Sequence, residues 1–325
     1  MTLTAKPPAA APPGDESTGP DAASVSPRRP RNLRSWMRGG GLSTLVFLAP
    51  MLFVFTIFSW SPIVQSLIMS LQKTNLLDPP TWVGLDNFVH VLNDPLLGTA
   101  ILNTVYFAAL ALLFGFPLPI LVAVLMSEVR RAKGIYSALA YLPVVVPPVV
   151  AVLLWKVFYD ASPTGLFNTI LGWVGIPPQP WLQSSATAMP SLVLEATWAA
   201  AGGAIIIYLA ALLSVPPELY DAAEVDGASR WQRLRHVTVP GLRSVIVFVI
   251  TVTLLASANM FGQAYLTTQG APAEKTRTAI MFIAEEGFQD FHLGSAAAMS
   301  YVLALFLMAL SAGVFFFFRD REEAR

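Results

Sequence analysis

Long apolar runs separated by short polar connections dominate the pattern of this chain. Six of these apolar runs contain no charged residue, and each is at least 22 residues long. They lie at 39–72, 95–127, 134–155, 196–217, 244–273 and 293–318. A hydrocarbon layer about 30 Å thick is crossed by about 20 apolar residues in an α-helix. The pattern therefore predicts an all-α, polytopic membrane protein with six transmembrane helices.

We place the transmembrane domain at 39–318 and draw one helix in each apolar run. The predicted spans are 42–64, 101–126, 135–158, 188–213, 244–266 and 294–318. Several spans contain proline, which membrane helices tolerate where protein or water satisfies the freed carbonyl groups. We interpret these prolines as kinks, and the alternative is a role in lining or gating a pathway. The long connections at 65–100, 159–187 and 267–293 are predicted to be external.

Two other architectures fit the pattern less well. A soluble protein with a large buried core would need charged faces on these segments, and they have none. A β-barrel would alternate apolar and polar residues in segments of about 10 residues, and that alternation is absent. The composition agrees, because 55% of the residues are hydrophobic and only 12% are charged, whereas about 25% are charged in typical soluble domains.

Positive charge is distributed unevenly between the two sets of connections. With a cytoplasmic N-terminus, sixteen Lys and Arg residues fall inside and four fall outside. The inner set is Lys6, Arg28, Arg29, Arg31, Arg34, Arg38, Arg130, Arg131, Lys133, Arg230, Arg233, Arg235, Arg243, Arg319, Arg321 and Arg325; the outer set is Lys73, Lys156, Lys275 and Arg277. Because cytoplasmic loops carry the excess of Lys and Arg, both termini are predicted to lie in the cytoplasm.

The termini are predicted to be short tails outside the bilayer. Residues 1–38 are rich in Pro, Ala and Ser, and then in Arg, so they cannot bury enough apolar surface to fold. We predict a disordered cytoplasmic tail whose arginines meet anionic lipid headgroups. A cleaved signal peptide is the alternative, but no small-residue cleavage site follows the first apolar run. Residues 319–325 form the predicted cytoplasmic C-terminal tail.

One internal connection has the composition of a folded unit. Residues 221–240 read DAAEVDGASRWQRLRHVTVP. A helix is predicted to begin at Pro216-Pro217, since proline suits a first helical turn, and acidic residues concentrate toward its N-terminal end, where the helix dipole favours them. Gly227 is predicted to stop this helix as a C-terminal glycine does.

A second helix is predicted after that glycine. Ser229 and Gln232 have the spacing of a capping box, and Pro240 is predicted to end the helix. A plain connector needs two to eight residues, and this one uses about thirty. We therefore interpret residues 216–240, called the charged segment below, as a cytoplasmic docking element. The alternative is a solvated connector.

The charged segment resembles the cytoplasmic signature of membrane subunits of bacterial ATP-binding-cassette (ABC) importers. That signature reads Glu-Ala-Ala, three residues, Gly, nine residues, and then Ile-x-Leu-Pro. The chain has Asp221-Ala222-Ala223, Gly227 and Val237-Thr238-Val239-Pro240 at the same spacing. Asp replaces the leading Glu, and Val replaces both Ile and Leu.

Further stretches resemble the sugar-transporting branch of the same family. They are Trp82-Val83-Gly84-Leu85-Asp86-Asn87-Phe88, Asn103-Thr104, Leu142-Pro143, Trp155, Gly165, Asn168, Asp226-Gly227-Ala228 and the Thr268–Pro272 region. The resemblance runs from about residue 40 to the C-terminus. It implies the fold of a type I ABC importer permease.

The resemblance also implies partners. A separate ATPase dimer would grip the charged segment, with Asp221, Ala222, Ala223, Gly227 and Pro240 as the coupling residues. A second, homologous permease subunit would complete the pathway, and an extracellular solute-binding protein would deliver the solute. The chain itself has no Gly-x-x-x-x-Gly-Lys-Ser/Thr phosphate loop, so we predict that it is not an enzyme and that ATP is hydrolysed by the partner.

Glu195 and Trp198 are candidate pathway residues in the fourth span. An ionisable side chain inside a span is costly and marks a functional site by default. The alternative places Glu195 in the headgroup region at the start of a shorter helix. Trp198 can stack on a sugar ring or anchor the helix at the interface.

Asn259, Gln263 and Tyr265 are candidate pathway residues in the predicted fifth span. Their side chains can hydrogen-bond a polar solute, and the alternative is bonding between helices. Gly202-Gly203 is predicted to permit close helix packing. Glu285, Glu286 and Asp290 are interpreted as a solvated external face.

No cofactor, metal site or nucleic-acid partner is predicted, since the three histidines occupy separate loops without metal-ligand spacing. The leading hypothesis is a carbohydrate importer permease. A permease for glycerol-phosphate or another polar solute is the alternative. A stand-alone secondary transporter would need inverted repeats and coupling carboxylates in several spans, where only Glu195 qualifies, and a structural or signalling protein leaves the docking element unexplained.

Overall fold

The structure is a computed structural model that describes residues 42–129 and 133–319. The predicted N-terminal tail, 1–38, lies outside the described residues, as does most of the predicted C-terminal tail. The chain divides into two compact units, Met1–Ser61 and Pro62–Arg325. The described part of the first unit is helical: α1 spans Leu42–Phe55 and a π-helical turn follows at Thr56–Trp60.

The second unit is built almost entirely from helices. Its first part contains α2 (Ser61–Ser70, whose first residue belongs to the first unit), α3 (Asp86–Asn93), α4 (Pro95–Leu110), a π turn (Ala111–Gly115), α5 (Pro117–Glu128), α6 (Lys133–Val145), α7 (Pro148–Phe158) and α8 (Leu166–Trp173). Its second part contains α9 (Ala188–Leu212), α10 (Pro217–Val225), α11 (Arg230–Arg233), a π turn (Leu234–Thr238), α12 (Val239–Gly241), α13 (Arg243–Ala258), α14 (Gly262–Thr267), α15 (Ala279–Phe288) and α16 (Leu293–Arg319).

One small strand pair interrupts the helical pattern. Strands β1 (Gln72–Lys73) and β2 (Thr81–Trp82) pair in antiparallel fashion, with Gln72 opposite Trp82. The Asn87 side chain fixes the pair to the end of α2, since its Nδ2 donates to the carbonyl oxygens of Ser70 at 2.9 Å and Gln72 at 3.0 Å. The predicted connection 65–100 is therefore folded rather than loose.

The described helices provide up to six membrane spans. Four helical stretches are long and apolar enough to cross a bilayer: Ser43–Ser70, Pro95–Glu128, Ala188–Leu212 and Leu293–Gly313. Two bent pairs pass the same test together: Gly134–Val145 with Pro148–Phe158, bent by 100°, and Arg230–Gly241 with Arg243–Ala258, bent by 73°. Counting each pair as one span gives the six that the apolar runs predict.

The third span departs from the continuous helix predicted at 135–158. It breaks between α6 and α7, where Pro147 adopts an extended ψ of 134° and Pro148 begins the new helix. Proline removes a helical hydrogen bond and pushes the preceding residue out of the helical region. Two consecutive prolines therefore produce a sharp turn where a mild kink was predicted.

The fifth span also ends earlier than the predicted 244–266. Helix α13 stops at Ala258, and Asn259 caps it with φ −93° and ψ 15°. The Asn259 Nδ2 donates to the Leu255 carbonyl oxygen at 2.9 Å, a local bond of the kind that competes with helix continuation. The chain becomes helical again at Gly262, so the predicted single helix is two helices with a break.

Helix α9 packs at the centre of the second unit. Gly202 on this helix meets α6, where an added Cβ would lie 2.6 Å from the Ala140 carbonyl oxygen and 2.8 Å from the Val144 Cγ2. Only a residue without a side chain fits there, so the close packing predicted for Gly202 is confirmed. Gly203 has no atom within 4 Å of such a Cβ, and its role is different.

Candidate functional site

A cavity of about 550 Å³ lies among the helices of the second unit. Its walls come from α4, α5, α9, α13 and the break that follows α13. Helix α9 contributes mainly small residues: Ala196, Ala199, Ala200, Gly203 and Ala204. Sites for small molecules usually have volumes of about 300–1,000 Å³, so the space suits a small solute.

The break in the fifth span places polar groups on the cavity wall. Asn259 and Gln263 line the cavity, together with Ser257 and Thr253 of α13. Irregular backbone within a membrane is tolerated where it is buried in protein or faces water. Two of the three candidate pathway residues, Asn259 and Gln263, thus lie on one cavity wall, although the helix of the fifth span ends at Ala258.

Tyr265, the third residue of that predicted set, lies elsewhere. Its ring stacks on Phe261, with centroids 4.9 Å apart and planes inclined by 17°. Tyr265 and Phe261 pack against a buried apolar cluster that includes Met189, Met260 and Met281. The structure gives Tyr265 a packing environment and does not place it on the cavity wall.

Glu195 is buried inside the protein, on a helix that begins at Ala188 as drawn. It lies in the second turn of α9 and is 3% exposed. The side chains of Gln263 and Tyr159 lie near its carboxyl group. Among the described residues, nothing hydrogen-bonds its Oε2. The structure thus links Glu195 to a residue of the cavity wall, although Glu195 does not line the cavity itself.

Trp198 belongs to an aromatic cluster. Its ring lies 5.6 Å from the ring of Trp155, which also contacts Tyr159 and Phe167 at 5.6 Å each. Tyr159 in turn donates from its hydroxyl to the Ser191 carbonyl oxygen at 2.6 Å. Trp198 therefore fixes α9 against α7.

Buried asparagines hold the connections that are predicted to be external, a role that sequence reasoning missed. Asn168 is 2% exposed. Its Nδ2 donates to the carbonyl oxygens of Asp160, Ser162 and Gln179 at 3.1–3.2 Å. Its Oδ1 accepts from the Gln179 amide and from Trp181 Nε1, both at 2.9 Å. One side chain thus organises the whole predicted connection 159–187.

Asn103 and Thr104 perform the same task for the connection 267–293. The Asn103 Nδ2 donates to the carbonyl oxygens of Glu274 at 2.6 Å and Arg277 at 2.9 Å. The Thr104 hydroxyl accepts from the Ala279 amide at 2.9 Å. The only sequence indication was the resemblance of Asn103-Thr104 to a family landmark, which carries no information about the partner.

The two acidic residues of α15, Glu285 and Glu286, are mostly buried. The prediction that they form a solvated face is therefore wrong. Arg277 pairs with Glu274 and, at 2.6 Å, with Glu285, whose side chain is 14% exposed. Glu286 pairs with His292 at 3.0 Å and is also mostly buried. Burial raises the pKa of the Glu285 carboxyl, and the Arg277 charge opposes that rise. Because basic partners are supplied within the same connection, these acids can pack inward, and Asp290 alone of the three is exposed.

The charged segment has the predicted helix-turn-helix form. Helix α10 ends at Val225, and Gly227 follows with φ +73°. The Ala228 amide donates to the Ala223 carbonyl oxygen at 2.9 Å and the Gly227 amide to that of Glu224 at 3.0 Å. These two bonds form a Schellman motif, in which glycine is favoured at the position of positive φ. The predicted glycine stop is confirmed.

The second helix begins as predicted and ends differently. Ser229 and Gln232 form the capping box, with Ser229 N donating to Gln232 Oε1 at 2.7 Å. Pro240 does not end the helix, because it lies within the turn Val239–Gly241, after the π turn. Proline is accepted there because it stands in the first turn of that short element. A 73° bend then leads into α13.

The charged segment leaves most of its side chains exposed. Asp221, Ala222, Gly227 and Pro240 are exposed, and Ala223 is half-buried. Large apolar side chains are exposed too: Val225 at 88%, Trp231 at 67% and Leu219 at 50%. Among the described residues, no group of three or more His, Cys, Asp or Glu side chains can hold a metal ion.

The fold and these sites define a multi-pass membrane permease. A family model described as "Binding-protein-dependent transport system inner membrane component" matches residues 115–321. The chain belongs to this family. It is a membrane-embedded permease subunit of the ABC importer type.

Two relatives illustrate the range of the family. The arabinooligosaccharides transport system permease protein AraP of Halalkalibacterium halodurans is 30% identical over 298 residues, which cover 91% of this chain and 94% of the relative. The sn-glycerol-3-phosphate transport system permease protein UgpA of Pectobacterium atrosepticum is 33% identical over 273 residues, covering 82% and 90%.

A solved structure has the same architecture. It is the crystal structure of a bacterial alginate ABC transporter in complex with an alginate pentasaccharide-bound periplasmic protein. The matching chain is 27% identical, the TM-score is 0.74, and the match covers 88% of this chain and 96% of that one. The type I importer permease fold implied by the sequence motifs is therefore confirmed.

Proposed function

We propose that this chain forms one half of a pathway for carbohydrate uptake. A second, homologous permease subunit supplies the other half. An ATPase dimer binds the charged segment on the cytoplasmic side, and an extracellular solute-binding protein delivers the solute. The transported solutes named for AraP and for the alginate transporter are carbohydrates, which supports this assignment.

The exposed surface of the charged segment carries the proposal. Val225, Trp231 and Leu219 are exposed on the charged segment, and Asp221 is exposed on the same helix as Val225 and Leu219. Exposed aromatic and apolar anchors beside charged groups are typical of protein interfaces. A solvated connector would need neither these side chains nor a capped helix-turn-helix.

The cavity favours a neutral, hydroxyl-rich solute over a phosphorylated one. Its polar side chains are Asn259, Gln263, Ser257, Thr253 and Thr197, and no Lys or Arg appears among the described residues that line it. Amides and hydroxyls donate to and accept from sugar hydroxyls. A phosphate group is usually recognised by Arg or Lys, so the glycerol-phosphate alternative is less well supported by this subunit.

Uptake by the assembled importer tests the function. The permease pair, the ATPase and the binding protein are co-expressed and reconstituted in vesicles, and uptake of labelled oligosaccharides is measured with and without ATP. We expect ATP-dependent carbohydrate uptake that glycerol-phosphate does not compete with. Uptake by this chain alone, without ATPase, would instead indicate a secondary transporter.

The orientation in the membrane is a separate part of the proposal. The excess of Lys and Arg on one side supports cytoplasmic termini and an inner-membrane location. Reporter fusions after Asp160 and Gly270 should report an external location, and fusions after Lys133 and Arg325 a cytoplasmic one. An external C-terminus would contradict the six-span arrangement.

A further inference from the structure

Three contacts join the outgoing and returning arms of the charged segment. At its base, Val215 packs on Gly241, where an added Cβ would lie 3.0 Å from Val215 Cγ2. In the middle, the hydroxyls of Tyr220 and Thr238 are 3.1 Å apart. Farther out, the Arg233 guanidinium lies 3.5 Å from the Glu224 carboxylate. The two arms therefore touch along their length as well as through the turn at Gly227.

The middle contact differs from the others in burial and position. Thr238 is 4% exposed, so its hydroxyl is removed from competing water. The outer ion pair is weaker, because Glu224 is 76% exposed and exposed ion pairs contribute little. Val215 and Gly241 make only an apolar contact. The Tyr220–Thr238 hydrogen bond is the directional link between the arms.

Thr238 also leads directly into the fifth span. Its carbonyl oxygen accepts from the Leu242 amide at 3.0 Å, and the Leu242 carbonyl oxygen accepts from the Ile246 amide at 2.8 Å. Leu242 is fully buried, within an apolar cluster that includes Tyr208 and Ile246. Tyr220 is thus connected to the start of α13 through two hydrogen bonds, its own to Thr238 and the backbone bond between Leu242 and Thr238.

Among the described residues, the charged segment has little other support from α5. A cavity of about 230 Å³ separates Val124, Ser127 and Glu128 of α5 from Tyr220 and Arg233. An ion pair between Arg230 and Glu128 spans 3.8 Å at its rim, and both side chains are more than half exposed. Because exposed pairs are worth little, internal contacts must supply the stiffness of the segment.

We propose that the Tyr220–Thr238 hydrogen bond positions the outgoing helix α10 relative to α13, so that movement of a bound partner at Asp221 is transmitted to the fifth span. Tyr220 and Thr238 are positioning residues and do not touch the solute. The inference rests on the proposed function, since it needs a partner that moves the charged segment. It adds the residues through which that movement reaches the pathway.

The test compares coupling with docking in the complete importer. Tyr220→Phe removes one hydroxyl and keeps the ring, and Thr238→Val removes the other and keeps the shape. Each variant is reconstituted with its partner subunits, and solute uptake, ATP hydrolysis and ATPase recovery are measured together. We expect solute transported per ATP hydrolysed to fall roughly two- to tenfold, the range of one net hydrogen bond, with ATPase recovery unchanged.

A double variant and matched controls exclude a general loss of stability. If one bond is responsible, Tyr220→Phe combined with Thr238→Val should have no larger effect than either change alone. The controls are Tyr136→Phe, at an exposed position, and Thr251→Val, whose hydroxyl bonds only the Val247 carbonyl of its own helix among the described residues. Both controls should transport at the unmodified ratio.

The outcomes separate this inference from the proposed function. Additive losses in the double variant, or an unchanged ratio in both single variants, would overturn the inference while the importer remained active. Failure of the unmodified chain to recover ATPase or to take up solute would overturn the proposed function itself. Loss of ATPase recovery in Tyr220→Phe would also overturn the inference, because the hydroxyl would then act in docking.

Discussion

The connections predicted to be external and the charged segment both join predicted membrane spans, and their backbones are held in different ways. In the connections predicted to be external, buried amide side chains satisfy several backbone groups each: Asn168 from within its own connection and Asn103 from α4. In the charged segment, Asp221 and its neighbours are exposed, and so are the large apolar side chains of Val225 and Trp231. The connections also expose large apolar side chains, such as Leu77 at 89% and Trp173 at 78%. The difference is that buried amides hold their backbone, whereas the charged segment is held by a helix cap and a glycine turn.

We relate this difference to the proposed docking role of the charged segment. A buried amide with all its hydrogen bonds made fixes one backbone arrangement and needs no partner. Exposed apolar side chains within a rigid, capped helix pair are typical of a surface that another protein covers. Substitutions in the two regions should therefore have different consequences, stability in one case and partner binding in the other.

The largest effect is expected for Gly227→Pro. Proline requires φ near −65°, whereas Gly227 has φ +73°, so the turn cannot form and the second arm is misdirected. Uptake and ATPase co-purification should both be lost, while membrane insertion stays normal because no span is altered. Gly227→Asn is the matched control, since asparagine tolerates positive φ, and it should keep most of the activity. Full transport by the proline variant would show that the segment is only a connector.

Asp221→Arg should have the next largest effect. The change replaces an attraction by a repulsion at a partly desolvated contact, a difference of several kcal/mol at interfaces. We expect weaker ATPase recovery and loss of solute-stimulated ATP hydrolysis with normal abundance of the permease. Asp78→Arg makes the same charge reversal in an external connection, where Asp78 meets only the exposed Asn75 side chain and nearby backbone among the described residues, and it should leave ATPase recovery unchanged. Equal ATPase recovery with both variants would show that the charge of Asp221 does not contribute to docking.

Asn103→Ala should affect stability and leave docking intact. The change leaves the carbonyl oxygens of Glu274 and Arg277 without their buried donor, at a cost of about 1–3 kcal/mol. Thermal unfolding of the purified permease should shift downward, and ATPase recovery should match the unmodified protein. Asn93→Ala is the matched control, because Asn93 is exposed and bonds the Val89 carbonyl of its own helix. A loss of ATPase recovery without destabilisation would contradict the division between the two regions.

The smallest effect is expected for Glu195, which lies in neither region. Glu195→Ala should reduce uptake several-fold with normal assembly, because the Gln263 amide on the cavity wall loses its neighbour. Glu195→Gln, which keeps the shape and one acceptor oxygen, should restore much of the uptake. The measurement is uptake against solute concentration at equal permease abundance, and unchanged kinetics in the alanine variant would remove Glu195 from the pathway.

The sequence predicted the features whose causes are local. Apolar runs give the spans, and the glycine stop at Gly227 and the capping box at Ser229 depend on residues within a few positions. A helix break depends on competition between continuing the helix and a local alternative. The Pro147-Pro148 turn was therefore predicted only as a kink, and the break after Ala258 was missed. Contacts between residues far apart in the chain, such as Glu195 with Gln263 and Asn103 with the Glu274 carbonyl, depend on the packed fold. They produce no periodic pattern in the sequence. The buried acids Glu285 and Glu286 were predicted to be solvated for the same reason.

The 100° bend at Pro147-Pro148 has a consequence for water in the membrane. Helices α6 and α7 contain 13 and 11 residues, so at 1.5 Å per residue each is only about 17–20 Å long, less than the hydrocarbon thickness. If α6 and α7 cross the bilayer as one span, the carbonyl groups freed by the two prolines lie at a depth where lipid offers no hydrogen bond. Pro148 lines the cavity of about 550 Å³, so water that enters this cavity would reach the break. We therefore expect the backbone at the break to be hydrated from within the protein and to exchange deuterium faster than a continuous helix of the same length.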